Sequence, residues 1–333
     1  MVGVVRALAL IAVILTLATI ALGAYVRSAD TESRCAPWPA CVQQPDSPPD
    51  RSLRAGASGR KTAEMMARVR LDIKTHRYVA GAVGLSVLLL ASLVWTLPDN
   101  RPKATFWAMA SVCMVVMQTA LGLWTLEHAL LPLAVTAHLL LGYSILLALF
   151  LTHLAVDSKP RAASSFGGAG PGRRWAARIA LLLLLSQLLV GGWTSTHQAG
   201  LACSEIPACL QQLWPESDQI SDFAWGQQGA SQNGLVWLPE QQRAAIHWAH
   251  RISGLLLGVA LTLIAVIMAW HRRDADLRPA ALLLGLLVLA TTGTGIAAVM
   301  FRLPVTTVVA HTLLAGLSLL SLVYLSLRLE GRV

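Results

Sequence analysis

Eight runs of apolar residues, each long enough to cross a bilayer, limit this chain more than any other feature. They lie at about 4–26, 77–97, 104–126, 132–155, 175–196, 244–270, 279–301 and 304–327. About 20 apolar residues in helical form span the ~30 Å hydrocarbon layer. A backbone in lipid must also satisfy its own N–H and C=O groups, so each run is expected to be a helix. Composition agrees, with 55% of the 333 residues apolar and 13% charged, against roughly 45–50% and 25% in soluble domains. The expected class is an all-α integral membrane protein with eight transmembrane helices. The first run, with Arg6 near its start, has the look of a signal peptide but is too long and continuous for a cleaved one.

The net charge of +9 does not require a nucleic-acid partner, because the basic residues alternate from loop to loop. Arg101 and Lys103, then Lys159, Arg161, Arg173 and Arg174, then Arg272, Arg273 and Arg278, and the tail with Arg328 and Arg332 form one set. The 127–131 turn has no Lys or Arg, and 197–243 has only Arg243. Basic loops stay inside, which places both termini in the cytoplasm; the expected location is a bacterial cytoplasmic (inner) membrane. The 27–72 loop dissents, with basic residues from Arg27 to Arg70, but long loops weigh less in this rule. Its Pro-, Ser-, Gly- and Asp-rich 44–59 stretch is expected to be flexible loop.

The chain repeats itself. Cys35-Ala-Pro-Trp-Pro-Ala-Cys41 returns 168 residues later as Cys203-Ser-Glu-Ile-Pro-Ala-Cys209, and Gly23-Ala24-Tyr25 returns as Gly191-Gly192-Trp193. His76-Arg77 returns as His250-Arg251, and His138 as His311, each of the latter in the frame Val-x-Ala-His-x-Leu-Leu. Matches in order at a nearly constant offset imply two four-helix bundles of the same topology. The expected division is 1–156, a cytoplasmic linker at 157–174 with a Gly-rich core, and 175–333.

Ionisable groups inside a membrane are costly and usually functional. His76 and His250 sit near the outer ends of helices 2 and 6. His138 and His311 lie about 9–10 Å beyond Pro132 and Pro304 at ~1.5 Å per residue, also in the outer half. Two imidazoles facing one another across an apolar bundle suit a haem iron, with Arg77 and Arg251 available to propionates. The bland alternative, a histidine hydrogen-bonded to a neighbouring helix, suits one histidine better than two repeated pairs. Zinc fits less well, since no thiolate or carboxylate lies at ligand spacing within the spans. Cys35, Cys41, Cys203 and Cys209 form two pairs on the outer side, where disulfides form. Structural staples and redox partners are equally open readings of them. Cys113 is expected in the core, and Gln118 and Gln187, in the shared frame Q-x3-G-x-W-T, are expected to bond between helices. His247 shares a helix face with His250, as a partner or alternative ligand. His128, His153, His197 and His271 are expected at the interfaces, and Trp214, Phe223, Trp225 and Trp237 in an interfacial lid.

With these features the chain resembles the haem A synthases of cytochrome oxidase assembly over nearly its whole length. The segments Gly200-Leu-Ala-Cys203, Ile246-His-Trp-Ala-His-Arg251 and Val135-Thr-Ala-His-Leu-Leu-Leu141 carry the likeness. The resemblance implies a haem b cofactor, an iron porphyrin, on His250 and His311, and the substrate haem O on His76 and His138. It implies oxidation of the C8 methyl of haem O, through an alcohol, to a formyl group. It also implies haem O synthase and cytochrome oxidase assembly proteins as partners, with self-association left open. One position departs: where the family commonly carries a catalytic glutamate, three residues before the helix 2 histidine, this chain has Ile73. Asp72 is the nearest replacement, and Glu64 a more distant one. A non-catalytic b-type cytochrome or haem carrier stays open beside the enzyme. An inverted-repeat transporter does not, because the repeats are parallel.

Overall fold

A computed structural model describes residues 1–34, 57–97, 101–127, 131–157, 170–210, 230–232, 235–270 and 277–331. Eight helices carry the fold: α1 (Val2–Arg34), α2 (Ala57–Trp95), α3 (Pro102–Glu127), α4 (Pro132–Asp157), α5 (Pro171–Thr196), α6 (Glu240–Trp270), α7 (Arg278–Met300) and α8 (Val305–Leu329). All eight contain segments long and apolar enough to cross a membrane. Prolines open four of them, at Pro102, Pro132, Pro171 and, one residue in, Pro279, where a missing N–H is not needed. Between α5 and α6 the strands β1 (Ala230–Gln232) and β2 (Leu235–Trp237) pair antiparallel, a small ribbon not expected from the sequence. Trp214, Phe223 and Trp225 of the expected lid fall outside the described residues.

The 27–72 segment departs from expectation. Helix α1 runs on to Arg34 and α2 begins at Ala57, some fifteen residues before its apolar part. Ala63-Glu64-Met65-Met66-Ala67-Arg68 consists of strong helix formers, so once the apolar turns nucleate α2 the helix extends at little cost. Polarity alone made this stretch read as loop.

Within each half the helices close a ring. In the first, α1 packs on α2, α2 on α3, α3 on α4 and α4 on α1; in the second, α5, α6, α7 and α8 repeat that order. The histidine-bearing helices, α2 with α4 and α6 with α8, are therefore diagonal partners, with an apolar interior between them. The halves join through α1 on α8 and α4 on α5. Arg27 of α1 donates from Nη2 to the Ser195 carbonyl of α5 (2.6 Å), binding the carboxyl-terminal ends of the first helix of each half. Tyr143 of α4 donates its hydroxyl to the Thr312 carbonyl of α8 (2.8 Å), at a place where Gly316 leaves room for the ring. A buried phenol with its O–H satisfied fixes this approach in a medium that offers no water. Leucines such as Leu85, Leu182, Leu256 and Leu286 point outward, as expected of a bundle whose solvent is lipid. Cys113 is also exposed, not in the core. Helix α3 is apolar all round, so its pattern could not tell the lipid face from the packed one.

Candidate functional site

Each of the four membrane histidines rests on a glycine of the preceding helix. A Cβ added at Gly23 would lie 3.3 Å from Cε1 of His76, and at Gly122 3.2 Å from Cε1 of His138. At Gly191 it would lie 2.9 Å from Cε1 of His250, and at Gly295 3.0 Å from Cε1 of His311. Four residues before each glycine stands a polar residue: Thr19, Gln118, Gln187 and Thr291. The spacing has a physical reason. In a helix the carbonyl of residue i points at residue i+4, and a glycine there leaves that carbonyl open to a neighbouring ring. Nδ1 of His311 accordingly meets the Thr291 carbonyl at 2.9 Å. The glutamines act through their side chains. Gln187 Nε2 donates to Nδ1 and to the carbonyl of His250, both at 2.9 Å. Gln118 Nε2 donates to Nε2 of His138 at 3.2 Å and to its carbonyl at 3.0 Å. The expectation that both glutamines bond between helices holds, and their partners are the histidines themselves.

This fourfold seat was missed in the sequence. The Q-x3-G frame and the Gly23/Gly191 match were visible, but Thr19-x3-Gly23 and Thr291-x3-Gly295 complete the pattern only when threonine and glutamine are allowed to exchange.

The carboxyl-terminal pair meets. The rings of His250 and His311 are 6.3 Å apart between centroids and nearly perpendicular, at 85°. With a metal–nitrogen bond of about 2 Å and roughly 1 Å from nitrogen to ring centre on each side, two imidazoles that shared one iron would have centres about 6 Å apart. The spacing thus fits one iron between them. In the amino-terminal half, His138 lies within electrostatic reach of His76, and the Nδ1 atoms of both are buried without a hydrogen-bond partner. Among the described residues no cluster of three or more His, Cys, Asp or Glu could hold a bare metal ion.

The 203–209 loop is tied to α6. Cys203 and Cys209 form a disulfide with Cα atoms 4.5 Å apart. Arg251 donates to the carbonyls of Cys203 (2.5 Å), Glu205 (2.8 Å) and Ala208 (3.1 Å). His247 Nδ1 accepts from the Cys203 amide at 3.1 Å. Arg251 and His247 therefore clasp the disulfide loop, where the sequence suggested a propionate and the iron. Arg77, its counterpart, is exposed. Cys35 and Cys41 lie outside the described residues, as do His128 and His271 and the side chain of Glu64. Asp72 is half-buried one turn before His76 on α2, beside Ile73. His153 bonds the Arg6 carbonyl near the start of α1, at 3.1 Å. His197, expected at the interface, is fully buried at the carboxyl-terminal end of α5. Its ring lies 4.4 Å from that of Trp193, and its Nδ1 bonds the Trp193 carbonyl. Burial, and secondarily the Arg27 charge, holds its pKa below the usual histidine value.

Fold and site together define a multi-pass membrane protein with one imidazole pair in each of two repeated bundles. The family model described as cytochrome oxidase assembly protein matches residues 6–323, and the chain belongs to that family. It is 32% identical over 318 residues to a haem A synthase of Shewanella oneidensis, covering 94% of this chain and 93% of the relative. It is 26% identical to one of Shouchella clausii, over 75% of this chain and 77% of the relative. A third, of Sphingopyxis alaskensis, is 28% identical over 63% of this chain and 56% of the relative.

Proposed function

We propose that this chain is a haem A synthase, an oxidoreductase that converts the C8 methyl of haem O to a formyl group for cytochrome oxidase assembly. The observation that carries the reading is the pair of diagonal, glycine-seated histidines in each bundle, with His250 and His311 spaced for a single iron. His250 and His311 hold a resident haem b, and His76 and His138 hold the substrate haem O. The 1–156 bundle is then the substrate half and 175–333 the cofactor half. The resident haem supplies one-electron transfer.

The chain's own residues do the rest. The glycine seats and their Thr or Gln partners orient four imidazoles, and the apolar walls exclude water from the porphyrin edge. The clasp of Arg251 and His247 on the 203–209 loop closes the outer mouth beside His250. Arg77, exposed beside His76, is assigned to a haem propionate. Oxidising a methyl group releases protons, and Asp72, one turn from His76, is assigned to carry them in place of the acid absent at Ile73. Loop charges support a cytoplasmic membrane of bacteria with both termini inside. A haem O synthase supplying the substrate, and assembly proteins receiving the product, are the partners this chemistry requires.

Ile73 favours one second reading, a b-type cytochrome or haem carrier with the same ligands. Purified chain from cells supplied with haem O separates the two, when its extracted pigments are resolved into haems B, O and A. Haem A supports the synthase; haem B with unchanged haem O supports the carrier.

A further inference from the structure

His250 and His311 stand on helices that are diagonal in their ring. α6 packs mainly on α5 and α7, and α8 on α7, α5 and α1, so the main contacts of neither are with the other. The gap between the two imidazoles therefore depends on something that touches both helices where they begin. The loop that leaves α5 does so. It starts at a left-handed Gln198 (φ 52°) and reaches a left-handed Leu210 (φ 50°). Its Ala199 and Leu201 are buried, and a tight turn brings the Ala202 amide to the Ala199 carbonyl at 2.9 Å. On one side of that turn stands Cys203, whose disulfide with Cys209 packs on Ala244 of α6. Arg251 and His247, one residue after and three before His250, grip the same part through its carbonyls and the Cys203 amide. On the other side stands Gly200, where a Cβ would lie 3.0 Å from Cδ1 and 3.4 Å from Cδ2 of Leu303. Leu303 ends the α7–α8 turn, directly before the Pro304 cap of α8. It and Arg302 are both left-handed, at φ 58° and 60°. Such backbone costs a non-glycine residue about 1–3 kcal/mol and persists only where neighbours hold it. Gly200 supplies that neighbour by letting the loop come close.

We propose that the 198–210 loop, closed by Cys203–Cys209, is a strap that sets the gap between α6 and α8 and so holds His250 and His311 at a spacing that spans one iron. The inference rests on reading this pair as a haem site. Gly200, Cys203 and Cys209 are positioning residues, acting on the ligands through Arg251, His247 and Leu303. Opening the disulfide frees Cys203 from the Ala208–Cys209 side of the loop, and Arg251 then loses the shared frame of its three carbonyls. Cys203 is 0% and Cys209 6% exposed, so an attacking thiolate has no approach to the sulfurs in the folded loop. The bond is a lock on the ligand helices rather than an electron carrier. By linkage, a bond that tightens haem binding is itself held more firmly once haem is bound.

Full-length protein in detergent tests this in a His76→Ala/His138→Ala background, which leaves one haem site. The readouts are haemin affinity and the low-spin electron paramagnetic resonance signal. Cys203→Ser/Cys209→Ser should weaken haemin binding about tenfold to a hundredfold, the worth of one hydrogen bond from a charged group, and shift the low-spin signal. Leu303→Ala unties the α8 side alone and should weaken binding about threefold to tenfold, the worth of one or two methylene contacts. Wild-type affinity and signal in either variant overturns the proposal. If the serine variant fails to fold, the native cysteines decide the matter by equilibration with dithiothreitol, which gives the disulfide two electrons and two protons as it closes on itself. Haem-loaded protein should keep Cys203–Cys209 closed at dithiothreitol concentrations that open it in haem-free protein, read from the mass of alkylated peptides. Equal midpoints with and without haem overturn the proposal. His250→Ala should lose haemin in the same background; if its affinity and spectrum are unchanged, the haem-site reading itself fails, which is a separate result.

Discussion

Alanine at Gly191 tests the histidine seats in the half with the tightest geometry. The added Cβ would sit 2.9 Å from Cε1, 3.5 Å from Nδ1 and 3.7 Å from Nε2 of His250. Carbon atoms pack best at about 3.5–4.0 Å, so the ring must retreat by roughly 0.6 Å or more. It has little freedom to do so. Gln187 grips Nδ1 and the backbone carbonyl of the same residue, and Ser253 grips Gln187. Overpacking of this kind costs about 1–3 kcal/mol, and ligating groups tolerate displacements of only about 0.5 Å. Haem affinity in the carboxyl-terminal half should therefore fall about 5-fold to 150-fold, with loss or distortion of the low-spin spectrum. The four seats form a graded series: Gly191→Ala and Gly295→Ala are severe, Gly122→Ala is milder at 3.2 Å, and Gly23→Ala mildest at 3.3 Å. The assay is haem stoichiometry with optical and paramagnetic resonance spectra of each purified variant. Gly191→Ala with full haem content and a wild-type spectrum would refute the seat as a determinant of ligation.

Other outcomes are expected. Asp72→Asn should lower haem A formation while leaving the His250/His311 spectrum intact, and Glu64→Gln should act less; equal wild-type yields from both remove the carboxylate relay. Cys203–Cys209 and Cys35–Cys41 should be oxidised when the protein is isolated under thiol-blocking conditions, so labelling of all four in unreduced protein contradicts the outer placement. Arg251→Ala frees three carbonyls of the 203–209 loop and should raise its proteolytic sensitivity, while Arg77→Ala should not. His197, buried with its pKa held low by desolvation, binds its proton more readily unfolded than folded. Its contribution to stability is therefore present above pH ~6.5 and declines as pH falls toward the folded value. His197→Gln should flatten the loss of thermal stability as pH falls below ~6.5, and an unchanged acid profile rules this origin out.

The eight spans and their grouping were legible because lipid leaves a chain few choices: apolar runs of this length must be helices, and a repeated set must build repeated bundles. The four histidines stood out for the same reason. Their partners did not. Gln118 and Thr291 occupy matching places, yet one uses its side-chain amide and the other its backbone carbonyl, so residue identity hides the equivalence. The direction of Arg251 was also hidden, because the carbonyls it satisfies belong to a loop whose fold depends on the disulfide. The burial of His197 was not visible in the sequence, because the Trp193 ring that covers it meets it only at the end of the folded α5. Helices without a polar face, α3 above all, gave no signal for which residues meet lipid, and Cys113 was misplaced accordingly.

The central claim is that one bundle holds a haem in order to change it and the other holds a haem to support that change. Its most direct test is the pigment bound by two double variants purified from cells supplied with haem O. His76→Ala/His138→Ala should retain haem B with its low-spin spectrum and yield no haem A. His250→Ala/His311→Ala should lose haem B and likewise yield no haem A. Haem A at the wild-type level from His76→Ala/His138→Ala would contradict the account.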